Sequence, residues 1–140
     1  MYKTISVLGI ALAVLSTQAL GKKCHLETTV YHRQTSACGE ESCIPNDDLE
    51  GTGELQVDGS SEWDGDGANY EDLSNGDGVD VNTDGIQFHI DPLGIPDEQD
   101  EPTCKVVIGD YTNLGTPDVK NDGDPGVFGT EFHCTHDWDW

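Results

Sequence analysis

The sequence predicts an all-β fold: a small disulfide-stapled antiparallel sheet or sandwich with long acidic loops rich in Gly and Asp. Three observations carry this reading. Apolar residues come in short alternating or continuous runs, and no window sustains a 3.6-residue period. Turn dipeptides are dense, with Asp58-Gly59, Asn75-Gly76, Asp84-Gly85 and Asp122-Gly123 standing between those runs. Seventeen glycines and six prolines in 140 residues, against a single methionine, disfavour a helical bundle.

The expected elements follow in chain order. Thr28 to His32 is a polar-apolar stretch with three residues branched at Cβ followed by an aromatic, which suits a pleated surface. Glu54 to Val57 alternates again. Asn69 to Leu73 has the makings of one helical turn. Ile86 to Ile90 is a clean alternation, and Lys105 to Ile108 is an apolar run suited to a buried strand. Val127 to His133 is a looser strand candidate. Residues 46–84 combine low hydrophobicity with many acids, the signature of a chain that cannot offset its ordering entropy, so partial disorder is expected there.

Residues 1–21 read as a secretory signal peptide: a positively charged start at Lys3, an apolar run from Ile5 to Leu15, then Ala19-Leu20-Gly21 with small residues flanking the exit. A transmembrane anchor needs about 18–20 apolar residues, and this run is shorter. The mature chain is then 22–140, one small β-rich domain with no membrane span, secreted to the extracellular space. Export places Cys24, Cys38, Cys43, Cys104 and Cys134 in an oxidising compartment. Two bridges and one spare thiol allow fifteen arrangements. The spacing suggests a local Cys38–Cys43 loop and a Cys24–Cys134 closure between the two ends. Cys104 would be left to form a covalent dimer.

The charge balance is extreme, at 28 acidic residues against 6 basic ones and a formal charge of −22. Nucleic acid and anionic membranes are polyanions, so neither is an expected partner. Twenty of the acids fall between Glu40 and Glu101, and residues 45–103 contain no Lys or Arg. Their repulsion opposes compaction at low salt, so calcium or added salt should raise the melting temperature.

One stretch has metal-binding spacing. Asp80, Asn82 and Asp84 occupy positions one, three and five, Gly85 the sharp turn at six, the Ile86 carbonyl seven and Asp91 twelve. Over these twelve residues the sequence resembles the Ca2+ loop of the EF-hand family. It departs from that family in having Asp91 at the last position and Gln87 at an apolar one. Asn75-Gly76-Asp77-Gly78 before it, and Pro92, Gly94 and Pro96 after it, also deny the flanking helices. A lone calcium loop between strands is the expectation, in competition with ordinary Asp-Gly turn chemistry. His133-Cys134-Thr135-His136 is a weaker candidate for zinc or copper, since it competes with a disulfide for Cys134.

Catalytic motifs are sparse. No nucleophile elbow, zinc-protease helix or phosphate-binding glycine loop occurs. Glu131 is the one acid flanked by Thr and Phe in a strand-like stretch, as a carboxylate acid-base catalyst would require. Trp138 and Trp140 at the carboxyl end, with Trp63, suit a sugar or protein partner, or packing against the domain.

In its leader, short mature chain and scattered cysteines the sequence resembles the small secreted cysteine-containing proteins of fungi, many of which act as effectors at a host surface. That resemblance implies a secreted, non-enzymatic interaction protein whose acidic face meets an extracellular cationic protein or a glycan. The alternatives are a secreted calcium-binding structural or adhesion module and a small carboxylate-dependent hydrolase.

Overall fold

The computed structural model describes residues 21–38, 42–65, 68–122 and 127–140. The leader reading falls on residues 1–21, outside these except for Gly21. The fold is all-β, in two antiparallel sheets. Its strands are β1 Lys23–Cys38, β2 Cys43–Val57, β3 Ser60–Trp63, β4 Val79–Thr83, β5 Ile86–Ile90, β6 Lys105–Ile108, β7 Tyr111–Leu114, β8 Thr116–Asp122 and β9 Val127–Asp139. A short helix, α1 Tyr70–Ser74, interrupts the series. One sheet has the order β3-β2-β1-β9-β8 and the other β4-β5-β6-β7.

The turns behave as their dipeptides require. Asp58-Gly59 joins β2 to β3, and Asp84-Gly85 joins β4 to β5, with Thr83 facing Ile86. All four residues have positive φ, between 46° and 83°. That is the two-residue hairpin geometry for which Asp-Gly is preferred, because its twist matches the strands it joins. Asn69 caps α1, its side chain accepting from the Asp72 N–H at 3.0 Å. Segment 46–84, expected to be partly disordered, holds most of β2, all of β3, the helix and β4. Among the described residues of this segment, β2 pairs with β1, β4 pairs with β5, and Leu55, Leu73 and Val81 are buried.

One core lies between the sheets. Leu26, Val30, Leu55 and Phe132 from the five-stranded sheet meet Val81, Ile86, Phe88, Ile90 and Val106 from the four-stranded one, with Leu73 of α1 joining them. The side-chain period of two decides which residues enter it. Along β1, Cys24, Leu26, Thr28 and Val30 are buried, while His25, Glu27, Thr29 and Tyr31 alternate with them on the opposite face.

The disulfides correct the expected map. Cys38–Cys43 forms, as the spacing suggested, and ties the tip of the long β1–β2 hairpin. The second bridge is Cys104–Cys134, which staples the residue leading into β6 to the middle of β9 and so joins the two sheets. Cys24 is the free cysteine. It points into the core opposite Trp138 and Val57, out of reach of Cys134 four residues away along β9, which faces Thr28 instead. Burial pushes its thiol pKa up. A protonated thiol that solvent does not reach is a poor partner for an intermolecular bridge, so the dimer expected through the spare cysteine loses its basis. Among the described residues no helix is long and apolar enough to cross a membrane.

Candidate functional site

The outer face of the five-stranded sheet carries an ordered array of polar groups. Pairing of β2, β1, β9 and β8 sets it out in rows. The first row is Gln56, His25 and Asp137, and the second Glu54, Glu27, Thr135 and Thr116. The third is Thr52, Thr29, His133 and Asp118, and the fourth Glu50, Tyr31, Glu131 and Lys120. Neighbouring strands lie about 4.8 Å apart, so members of a row are within side-chain reach.

Electrostatics bind these rows together. Glu27 and Glu54 face one another directly, an unfavourable like-charge pairing. His25 relieves it, with Nε2 3.2 Å from Glu27 and Nδ1 2.7 Å from Asp137. Asp137 first, and then Glu27, holds the His25 pKa above its ordinary value. His133 repeats the arrangement, with Nε2 2.5 Å from a Glu131 oxygen and Nδ1 3.0 Å from the Thr29 hydroxyl. The lower rows border a trough of about 450 Å³ lined by Thr29, Tyr31, Glu50, Thr52, Glu131 and Lys120.

The calcium-loop residues are placed quite differently. Asp80 and Asn82 lie on β4, Asp84 is in the hairpin turn, Ile86 starts β5 and Asp91 follows it. On an extended strand Asp80 and Asp84 are about 13 Å apart, so the hairpin separates the oxygens that an ion would need together. Each carboxylate already has a partner. Asp80 lies 2.8 Å from His89 Nδ1, Asp91 is 2.6 Å from the Lys105 ammonium, and Asp84 pairs with Lys22. The predicted calcium site is thus not assembled, because two strands and a tight turn form where a coordinating loop was expected. The His133–His136 candidate is split by the same alternation: His133 faces outward, while Cys134 and His136 face the core and Cys134 is bridged to Cys104. No group of three or more His, Cys, Asp or Glu placed to hold a metal occurs among the described residues.

The tryptophans part company. Trp138 packs edge-on against Phe88 of the opposite sheet, with ring centroids 5.3 Å apart, so it belongs to the packing between the sheets. Trp140 is 43% exposed, its backbone paired to Lys22. Trp63 lies over Gly53, where a Cβ would come within 2.6 Å of its ring. Glu131 is on the outer face, half-buried beside His133.

Sequence reasoning missed Thr29, Tyr31, Glu50 and His25 as site residues. The signal was present in the alternation of His25, Glu27, Thr29 and Tyr31, and of Glu50, Thr52, Glu54 and Gln56, but only pairing of the two strands shows that they share a face. Comparison with protein-family models, curated proteins and solved structures found no match.

Proposed function

We propose that this chain is an exported, non-enzymatic binding module that presents the outer face of its five-stranded sheet to a cationic extracellular partner. The observation that carries the reading is the register of that face. Glu27, Glu50, Glu54, Glu131 and Asp137 project from three adjacent hydrogen-bonded strands, positioned by the ladder and not by mobile loops. A charged surface on a rigid sheet steers a partner of opposite sign and fixes its orientation. The two disulfides accord with an oxidising environment.

The test is immobilisation of the mature protein and measurement of binding to small basic proteins against neutral ones of equal size. Binding should be selective for the basic set, weaken with salt, and drop about tenfold or more in Glu27→Lys/Glu54→Lys. Equal binding by the charge-reversed variant would count against the reading.

A second reading, the carboxylate-dependent hydrolase, has one observation in its favour. The Thr29 hydroxyl, His133 imidazole and Glu131 carboxylate form a chain at the trough. Such a chain can move a proton from a hydroxyl nucleophile. Turnover of activated esters that disappears in both Thr29→Val and Glu131→Gln would favour it.

A further inference from the structure

We infer that the trough on the outer face is the seat for one guanidinium group, an arginine of the protein partner, held against Tyr31 between Glu50 and Glu131. This rests on the binding-module reading and names the chemistry of its contact.

The geometry is set by the fourth row. Glu50 and Glu131 both stand opposite Tyr31, on β2 and β9, so their backbones flank it across two strand spacings, about 10 Å. That width admits a planar cation with a carboxylate at each edge and an aromatic ring between them. Glu50 pairs with no cation among the described residues. Glu131 engages His133 through Oε1, leaving Oε2 available. Thr29 and Thr52 line the same space with hydroxyls that accept further N–H groups. Arginine fits this set better than lysine, because its fork can donate to two carboxylates at once and its plane can lie on an aromatic face.

Lys120 stands opposite Glu131 from β8, lines the trough, and pairs with no carboxylate among the described residues. It is a resident cation that an incoming guanidinium must displace. Removing it should therefore strengthen binding, which a purely structural lysine would not do.

The experiment titrates the mature protein with a tetra-arginine peptide, following backbone amide shifts, with tetralysine and a neutral oligosaccharide as comparisons. Shifts should cluster at Thr29, Tyr31, Thr52 and Glu131. Affinity should fall about tenfold in Glu50→Gln/Glu131→Gln and severalfold in Tyr31→Leu, stay near its starting value in Tyr31→Phe, and rise severalfold in Lys120→Gln. Thermal melts of each variant would separate lost binding from lost folding. Arginine peptide binding that is spread over the acidic loops and indifferent to Glu50, Glu131 and Lys120 would overturn the seat while leaving the acidic binding module standing. Shifts at the trough from the oligosaccharide and not from tetra-arginine would also overturn it. Absence of binding by any cationic probe at low salt would overturn both readings.

Discussion

Thr28 occupies a core position, 1% exposed, with its hydroxyl unpartnered among the described residues. A buried hydroxyl without a partner costs about 1–3 kcal/mol, and valine has nearly the same shape. Thr28→Val should therefore stabilise the fold by about 1 kcal/mol, read as a rise in urea midpoint with unchanged slope. Two histidines give opposing pH dependences. His136 is buried, and burial pushes its pKa down against the smaller opposing effects of the Cys104 carbonyl and Asp137. The unfolded chain then takes up the proton first, so stability falls as the pH drops below about 6.5. His25 runs the other way. Asp137 and Glu27 raise its pKa, so its contribution is complete below about 6.5 and is lost as the pH rises through the raised value. Urea midpoints from pH 5 to pH 8 should show this. His136→Gln flattens the acid side, whereas His25→Gln loses more stability at pH 5.5 than at pH 8. The Cys24 thiol, buried and raised in pKa, should resist alkylation in the native protein and react after denaturation, leaving a monomer on non-reducing gels.

At the level of elements, the disulfides serve different purposes. Cys38–Cys43 spans five residues and holds the tip of an arm whose β2 side, Cys43 to Glu50, is exposed throughout. Cys104–Cys134 spans 30 residues and joins the sheets across the core. By loop closure alone the first is worth about 2 kcal/mol and the second about 3–4 kcal/mol. Cys104→Ser/Cys134→Ser should lower the melting temperature clearly more than Cys38→Ser/Cys43→Ser, and scanning calorimetry of both variants would decide it. The arm also exposes a strand edge, and Pro45, Asp47 and Asp48 lie along it, the residue types that discourage pairing with another chain. Strands β1, β2, β5, β6 and β9 and the helical turn were legible from alternation, apolar runs and the Asn69 cap. β3, β4, β7 and β8 were not. Ser60–Trp63 and Tyr111–Leu114 are short edge strands with mostly exposed residues, so burial writes little pattern into them. In β7 the pattern is even inverted. Leu114 is 78% exposed, whereas Asn113 is buried and donates to the Asp137 carbonyl at 3.0 Å, serving a β9 backbone group beyond the reach of β8.

For the whole molecule, charge repulsion and salt should dominate the response to ions. The calcium-loop acids are already paired with His89, Lys105 and Lys22, and no ion-binding cluster is present among the described residues. Sodium chloride at matched ionic strength should therefore reproduce the stabilisation given by millimolar calcium chloride, and a chelator should leave the melt unchanged. A calcium-specific shift above the salt effect would reverse this. Composition and local spacing by themselves determined the all-β class, the acidity and the local Cys38–Cys43 loop, because glycine, turn dipeptides, short apolar runs and closely spaced cysteines act through neighbours a few residues apart. The tertiary structure decided which cysteine stays free, that the Asp80–Asp91 stretch is a hairpin, and that Glu50, Tyr31 and Glu131 share a row. Those outcomes depend on the pairing of strands far apart in the chain, where a shift of one residue would turn every side chain to the opposite face.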